Sequence, residues 1–141
     1  MATINLYLNF NGNCEEAFNF YREVFGGAFT YLGRFGEMPS GEGMTVSEED
    51  RNKIMHVSLP IGSTVLMGSD VGGEWAPSFS QGNNFSVSVT PESREEAEAV
   101  FSKLSEGGCV TMPLGDTFWG AYFGMLTDKF GINWMVNFEE R

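Results

Sequence analysis

The sequence predicts an α+β fold made of two βαβββ halves, and three observations lead to this prediction. Residues 4–10 and 84–89 alternate apolar and polar side chains with a period of two, which is typical of a strand with one face in a core. A segment with apolar residues at helical spacing follows each of these strands. A Gly-Gly pair then ends each helix, at residues 26–27 and 107–108, so the same order of elements occurs twice.

In the first half, the strand Ile4–Phe10 should direct Leu6, Leu8 and Phe10 toward the core. Asn13 can cap the following helix, with Glu16 three residues later as in a capping box. Residues 35–53 are polar and rich in Gly and Glu, which indicates a mobile loop. The other predicted strands of this half are Ala28–Arg34, Ile54–Leu59 and Thr64–Ser69.

In the second half, Ser93 and Glu96 form a capping box after the strand Asn84–Val89. The remaining predicted strands are Cys109–Leu114, Ala121–Thr127 and Ile132–Phe138, with a turn at 128–131. We expect one domain, with a first half at about 3–70, a linker at about 71–82 and a second half at about 83–139. Because the halves share element order but little residue identity, a ferredoxin-like α+β sandwich is the alternative fold.

Composition and charge exclude several classes of partner. The formal net charge is −11 and only 8 residues are Lys or Arg, whereas phosphate binding needs clustered positive side chains. Nucleic acid and anionic membrane surfaces are therefore not expected partners. No apolar run approaches the roughly 20 residues that span a bilayer, and no secretory signal pattern is present, so we expect a cytoplasmic protein. Cys14 and Cys109 lie far apart and predict neither a disulfide framework nor a zinc knuckle.

Five stretches of the chain resemble PhnB-like members of the vicinal-oxygen-chelate superfamily, the glyoxalase/bleomycin-resistance/dioxygenase proteins. They are FNGNCEEA at 10–17, FYR at 20–22, FGEMP at 35–39, DTFWG at 116–120 and TDKFGINWMVN at 127–137. The resemblance implies two cupped half-sheets that enclose a pocket, and two chains that form a homodimer. Some relatives carry a demethylubiquinone methyltransferase label. No Gly-rich strand-to-helix loop suited to a nucleotide-like cofactor follows any predicted strand, so we expect neither that activity nor a cofactor.

The resemblance also implies where metal-using relatives hold their ion. In those proteins each half supplies one ligand from its first strand and one glutamate from its last strand. Strand alternation maps these four positions to Asn5, Met67, Asn84 and Met135. A register shift of one residue would substitute Leu6, Leu66, Phe85 or Trp134. Neither set supplies the carboxylates or imidazoles that a catalytic divalent ion prefers, so we expect no metal.

His56 is the only histidine and the candidate catalytic residue, because an imidazole in the third strand can serve as a general base or a hydrogen-bond donor. A histidine hydrogen-bonded within the sheet is the structural alternative. Glu37 and Asp70 are candidate partners for the ring, although a solvent-exposed loop glutamate and an aspartate that starts a turn are the simpler explanations. The expected pocket residues are Asn5, Tyr7, Asn9, His56, Met67, Asn84, Ser86, Trp119 and Met135.

Aromatic side chains outside the strands add candidates for ligand contacts. Phe118 and Trp119 stand between two strands, where they can stack on a flat ligand or pack in the core or in a dimer contact. Trp75 lies in a Gly-rich segment that fits a lid or a swapped arm. Cys14 begins a helix, but the neighbouring Glu15 and Glu16 oppose a thiolate, so we expect it to serve packing.

Three functions are compatible with these residues. The leading hypothesis is a pocket that binds a small organic molecule without a metal, and whether it also transforms that molecule stays open. The second is sequestration of a cationic, antibiotic-like compound, since the acidic charge and the aromatic residues suit a cation. The third is a metal-dependent lyase, isomerase or dioxygenase with ligands drawn from His56, Glu37 or Asp70.

The first prediction concerns metal content. Because Asn5, Met67, Asn84 and Met135 occupy the mapped ligand positions, the purified protein should carry no stoichiometric nickel, zinc, iron or manganese. Elemental analysis after dialysis measures this directly. One retained equivalent of such a divalent ion per chain would contradict the prediction.

Overall fold

The structure is a computed structural model that describes residues 2, 4–37, 48–71 and 79–139. The chain divides into two compact units, residues 1–80 and 81–141. The described part of each unit forms a four-stranded sheet with one α-helix. Trp75 and most of the predicted linker, together with residues 38–47 of the predicted mobile loop, lie outside the described residues.

The first unit contains β1 (Leu6–Phe10), α1 (Cys14–Phe25), β2 (Tyr31–Arg34), β3 (Ile54–Ile61) and β4 (Thr64–Asp70). Its strand order is β1-β4-β3-β2, with β1 parallel to β4 and the other pairs antiparallel. A 3-10 turn at Phe35–Glu37 follows β2. There, the N–H groups of Phe35 and Gly36 donate to the carbonyls of Lys53 and Arg51 at 3.1 and 2.9 Å, which ties the two ends of segment 35–53 together.

The second unit repeats this topology with β5 (Val87–Val89), α2 (Arg94–Ser105), β6 (Cys109–Asp116), β7 (Ala121–Thr127) and β8 (Asn133–Glu139). Its strand order is β5-β8-β7-β6, and β5 is parallel to β8. Two separate four-stranded sheets of the same connectivity confirm the predicted pair of βαβββ modules. They also exclude the ferredoxin-like alternative, which requires all of its strands in one sheet.

Several strands begin later than the sequence predicts; β1, for example, begins at Leu6 instead of Ile4. β2 begins at Tyr31 and β5 at Val87, each three residues after the predicted start. β5 begins where its pairing with β8 begins, since Val87 lies opposite Trp134. The preceding apolar residue, Phe85, is 52% exposed. Alternation indicates which face a side chain can take, but only the partner strand decides how far the strand extends.

The core of each unit lies between its helix and one face of its sheet. In the first unit, Phe18 of α1 packs edge-on against the rings of Phe10 and Tyr21, at centroid distances of 6.1 and 5.6 Å. In the second unit, Trp134 and Val136 of β8 are buried on the α2 side. Leu6, predicted to face inward, is only half-buried. The apolar residues that hold each helix are therefore confined to one face of each sheet.

Asp70, the last residue of β4, caps the N-terminus of α1. Its Oδ1 accepts hydrogen bonds from the N–H groups of Gly12 and Cys14, both at 2.9 Å, and its Oδ2 accepts from the N–H of Ile54 at 2.8 Å. Asn13 stands at the N-cap position but makes no capping bond with its side chain. The predicted Asn13 cap is therefore wrong, and Asp70 is a buried cap rather than the start of a turn.

Cys14 is fully buried beside this cap. Burial raises the pKa of its thiol, and the negative charges of Asp70 and Glu15 raise that pKa further. The thiol therefore stays protonated near neutral pH. A buried and protonated thiol packs in the core and does not act as a nucleophile.

The Ser93 cap of the capping box predicted for α2 is confirmed, whereas the reciprocal bond of Glu96 reaches the residue before the cap. The Oγ of Ser93 accepts from the N–H of Glu96 at 3.0 Å, and the carboxylate of Glu96 accepts from the N–H of Glu92 at 2.9 Å. Each of the two helices has 12 residues. In the described ranges, no helix is long and apolar enough to cross a membrane.

Asp128 organises the predicted turn between β7 and β8. Its Oδ1 accepts from the N–H groups of Phe130 and Ile132 at 2.8 and 3.0 Å. Its Oδ2 accepts from the indole N–H of Trp134 at 2.8 Å. This buried carboxylate therefore fixes the turn and the orientation of Trp134 together.

A glycine in each sheet lies directly beneath an aromatic ring of the helix. A Cβ at Gly68 would lie 2.6 Å from the Phe18 ring and 2.8 Å from the carbonyl oxygen of Leu8. A Cβ at Gly124 would lie 2.7 Å from the ring of Phe101 and 2.9 Å from the Cα of Leu114. Neither position has room for a methyl group, so glycine permits the close approach of helix to sheet.

The second prediction tests this packing. Gly68→Ala should lower the free energy of unfolding by about 1–3 kcal/mol, because the new methyl group must displace the Phe18 ring and the β1 backbone. Denaturant unfolding followed by circular dichroism measures the change. The matched control is Gly115→Ala in β6, where a Cβ meets nothing within 4 Å, and its effect should stay within about 0.5 kcal/mol. Equal losses in the two variants would disprove the packing argument.

Candidate functional site

The first unit carries polar and aromatic residues on the face of its sheet opposite α1, which we call the first open face. Strand pairing sets Tyr7 opposite Met67, Met67 opposite Ser58, and Ser58 opposite Tyr31. These four residues therefore form one row across β1, β4, β3 and β2. His56 lies two residues before Ser58 in β3 and so belongs to the same face.

His56 joins this row by hydrogen bonds from both of its ring nitrogens. Nδ1 lies 3.2 Å from the hydroxyl of Tyr7, and Nε2 lies 3.0 Å from the hydroxyl of Ser58. A hydroxyl group donates or accepts, so either neutral tautomer of the imidazole satisfies both contacts. The result is a Tyr7–His56–Ser58 chain that fixes the orientation of a half-buried imidazole.

Two exposed tyrosines flank the imidazole. The ring centroids of Tyr7 and Tyr31 lie 5.6 and 5.7 Å from that of His56. Tyr31 reaches it by folding along its own strand, where a Cβ at Gly33 would lie 2.6 Å from its hydroxyl. Tyr7 and Tyr31 are 40% and 49% exposed. His56 thus lies between two aromatic rings that solvent can reach.

The two carboxylates considered as partners of His56 serve other contacts. Asp70 is buried and bonded to three backbone N–H groups, so it is not the partner of the imidazole. Glu37 lies exposed in the 3-10 turn near Arg34, whose pKa is raised mainly by its hydrogen bond to Glu15 and to a smaller extent by the charge of Glu37. The bonded partners of the ring are the hydroxyls of Tyr7 and Ser58 instead. The expectation that Asp70 could pair with His56 is therefore wrong. The sequence alone does not show whether an aspartate is buried or exposed.

The asparagines expected on this face lie at its margin. Asn9 is exposed in β1 and lies opposite Ser69 of β4. Asn5 is exposed and precedes β1. Ser58 and Tyr31 were missed by the sequence reasoning. The period-two spacing from His56 could have identified Ser58, whereas Tyr31 requires the register between β2 and β3.

The second unit presents methionines and aromatic rings on the face of its sheet opposite α2, which we call the second open face. Met135 of β8 lies opposite both Ser88 of β5 and Met125 of β7. Its neighbour Trp134 points the other way into the core. Trp119 is 53% exposed and packs edge-on against Phe123 of β7 at a centroid distance of 6.0 Å.

The remaining expected residues of this unit are exposed and lie outside its strands. Asn84 and Ser86 precede β5, and no side-chain hydrogen bond holds either of them on the sheet in the described contacts. Phe118 is 98% exposed and contacts the ring of Trp119 at 5.0 Å. Met125 and Phe123 were missed by the sequence reasoning, although both alternate with the buried residues Leu126 and Gly124.

The residues present do not fit a catalytic divalent metal. The four mapped positions offer two amides and two thioethers. On the first strand of each unit, the residues that pair with the two methionines are Tyr7 and Ser88 rather than Asn5 and Asn84. Among the residues that the structure describes, no group of three or more His, Cys, Asp or Glu side chains converges as a metal site. Hard divalent ions prefer carboxylate or imidazole donors, which are missing from these positions.

Comparison with known proteins identifies the family. The model of the family described as 3-demethylubiquinone-9 3-methyltransferase matches residues 2–137. Protein YjdN of Escherichia coli K12 is 32% identical over 140 residues, which cover 93% of this chain and 91% of that protein. The crystal structure of protein PA1353 from Pseudomonas aeruginosa is 43% identical over 100% of both chains, with a TM-score of 0.83.

Two further structures connect the family with its fold. The PhnB protein from Bacillus cereus is 29% identical and has a TM-score of 0.74, with 97% of this chain and 99% of that chain covered. A glyoxalase/bleomycin resistance protein/dioxygenase family enzyme from Burkholderia phytofirmans has a TM-score of 0.61 at 16% identity, over 95% of this chain and 97% of that one, and shows likeness of fold alone. This chain belongs to the PhnB-like family described as 3-demethylubiquinone-9 3-methyltransferase, and it has the fold of the glyoxalase/bleomycin-resistance/dioxygenase proteins.

Proposed function

We propose that this protein binds a small organic molecule on its first open face without a metal ion, and that His56 contacts the bound molecule. The observation that supports this most is the Tyr7–His56–Ser58 chain of hydrogen bonds, which holds an imidazole in one orientation between two exposed rings. Small-molecule sites combine apolar and aromatic surface with a few oriented polar groups, and this face has both.

The composition of this face is not required by the fold. The core residues that hold α1 lie on the opposite face, so Tyr7, Tyr31 and Met67 do not support the helix. Large aromatic side chains that remain 40–49% exposed keep apolar surface in contact with water. Binding of a flat molecule would remove that surface from water, and the two hydroxyls and the imidazole would supply the hydrogen bonds that select it.

His56 also has the arrangement needed to move a proton. An imidazole exchanges protons near neutral pH and is effective only when it is oriented toward the reacting group. The exposed hydroxyl of Tyr7 is bonded to Nδ1 and is the end of the chain that solvent reaches most easily. A proton taken from a bound molecule at this hydroxyl can therefore pass to the imidazole. Proton transfer is therefore the reaction type that the arrangement of Tyr7 and His56 suits.

The methyltransferase description of the family receives no support from the two strand-to-helix turns. Nucleotide-like cofactors are commonly held by free N–H groups at such a turn and at the N-terminus of the helix. In the first unit the carboxylate of Asp70 occupies the N–H groups of Gly12 and Cys14. In the second unit the Oγ of Ser93 binds the N–H of Glu96, and the carboxylate of Glu96 binds the N–H of Glu92, just before the helix. We therefore favour ligand binding over methyl transfer from such a cofactor.

A second candidate function is sequestration of a cationic organic compound. The observation that favours it is the pair of exposed tyrosine rings beside His56, in a chain with a net charge of −11. Aromatic faces attract cations, and the overall negative charge increases their local concentration. Sequestration differs from catalysis in that the compound is recovered unchanged after incubation with the protein.

The third prediction concerns the Tyr7–His56–Ser58 chain. A thermal-shift screen of neutral aromatic compounds, aromatic amines and quaternary ammonium compounds identifies binders, because a compound that binds only the folded state raises the melting temperature. Tyr7→Phe and His56→Asn should weaken binding of such a compound about threefold to tenfold, which corresponds to the loss of one hydrogen bond. Isothermal titration calorimetry measures the dissociation constants.

Two further variants separate the site from general effects on the protein. Tyr122→Phe is the matched control, because Tyr122 lies in the second unit with its ring beneath Arg94. It should leave the dissociation constant unchanged. Trp119→Ala should weaken the binding only of a compound that stacks on the second open face, and it should leave binding to the first open face unchanged. The proposal fails if Tyr7→Phe and His56→Asn bind every screened compound as tightly as the parent protein.

The fourth prediction concerns assembly. We propose that the protein is cytoplasmic. We also propose that it forms a homodimer, since Val110 on β6 and Phe118 in the segment after it are 44% and 98% exposed. β6 is an edge strand, and its unpaired side can accept a partner. Sedimentation equilibrium at micromolar concentration should give twice the chain mass of 15.6 kDa. A single species at 15.6 kDa would count against the dimer.

A further inference from the structure

The second open face carries three methionines in one row across three neighbouring strands. Met112 of β6 lies opposite Met125 of β7, and Met125 lies opposite Met135 of β8. Neighbouring strands lie about 4.8 Å apart, and a methionine side chain has three rotatable bonds. The three thioether sulfurs can therefore approach a common point above Met125. We call these three residues the methionine row.

A β-bulge brings Met112 into this row. Cys109 and Val110 lie opposite Thr127 and Leu126, so regular pairing would set Thr111 opposite Met125. The register shifts between Val110 and Met112, and Met112 takes that place instead. Bulges redirect individual side chains and are frequent next to functional sites. The row of three thioethers thus results from a specific irregularity in the edge strand.

The packing of α2 does not require the methionine row. The residues that pack on the helix side are Leu126, Trp134 and Val136, which alternate with Met125 and Met135 along β7 and β8. Met125 and Met135 are half-buried, and Met112 is 38% exposed. The sulfurs are therefore close to solvent on a face that the core does not use.

The donor set is soft and uncharged. Thioether sulfur is a poor ligand for hard divalent ions but selects Cu(I) and similar monovalent d¹⁰ ions. Cys109 is exposed and lies opposite Thr127, two residues along β7 from Met125, so its thiol can act as a fourth sulfur donor near the row. Phe123, packed against Trp119, lies two residues from Met125 along β7 on the other side from Thr127. The net charge of −11 attracts a cation to the chain.

We propose that the methionine row, with Cys109 beside it, is a binding site for a soft monovalent metal ion of the Cu(I) class. This site is independent of the proposed organic ligand on the first open face. It also explains why thioethers, which are unsuited to a divalent catalytic ion, have a defined arrangement on this sheet. The three thioethers bind the ion as neutral donors, and Cys109, where it joins them, binds as a thiolate and releases its proton to solvent. No redox step is part of the proposal.

Silver(I) is the probe for this site, because it has the soft character of Cu(I) and does not change oxidation state. Titration of the full-length protein with Ag(I), followed by isothermal titration calorimetry, should give one equivalent bound per chain. In a ¹H–¹³C spectrum of methyl-labelled methionine, the signals of Met112, Met125 and Met135 should shift on binding. The other five of the eight methionines, which include Met55 and Met67, should not shift.

Three variants decide between the methionine row and a single reactive thiol. Met125→Leu keeps the volume of the side chain but removes the central sulfur, and it should weaken Ag(I) binding at least tenfold. Met112→Leu is the second variant, because its exposed position tolerates substitution if Met125→Leu folds poorly. Met55→Leu, a half-buried methionine of β3 in the first unit, is the matched control and should bind as the parent protein does.

The following results support or overturn the proposed metal site. Loss of binding in Met125→Leu or Met112→Leu, with methyl shifts confined to the methionine row, supports the site. The proposal is overturned if Cys109→Ser alone abolishes binding while both methionine variants bind normally, since a lone thiol then explains the result. It is equally overturned if no Ag(I) binds at micromolar concentration, or if the methyl shifts are spread over all eight methionines.

Discussion

The arrangement of the first unit depends on one buried carboxylate. Asp70 accepts hydrogen bonds from Gly12, Cys14 and Ile54, so a single side chain joins the start of α1, the start of β3 and the end of β4. A buried charge is tolerated only when its hydrogen-bonding capacity is used, and these three N–H groups use it. The cap fixes Ile54 at the start of β3, on the helix side of the sheet. The pairing of β2 with β3 then shifts by one residue between Ile54 and His56, and this irregularity sets the imidazole on the first open face.

The second unit uses a buried aspartate for a different purpose. Asp128 binds the N–H groups of its own turn and the indole of Trp134, which keeps Trp134 in the core. Because side chains alternate along a strand, Met135 must then face the other way, onto the second open face. The two units thus share one topology and one device, a buried carboxylate at a strand end. They differ in the side chains that lie on the open face of the sheet.

This difference has a chemical consequence for each open face. The first presents hydroxyls, an imidazole and two tyrosine rings, which suit the hydrogen bonds and stacking of an organic molecule. The second presents thioethers beside aromatic rings, which suit soft or apolar partners. In each unit a side chain of the protein already binds an N–H group in the first turn of the helix, which disfavours anion binding there. Function in this chain is therefore expected on the sheets rather than at the helix ends.

The sequence by itself determined the elements and their order. Period-two and helical spacing are local properties, and the Ser93 capping box and the turn at Asp128 are short-range hydrogen-bond patterns, so each could be recognised within a few residues. The tertiary structure alone decided the contacts between distant segments. Asp70 caps a helix whose first residue is 56 positions earlier, Tyr31 reaches His56 only through the register of β2 and β3, and Met112 faces Met125 only because of a bulge. Register depends on which strands pair and where they slip, and this is settled by the packing of the whole sheet rather than by any local pattern.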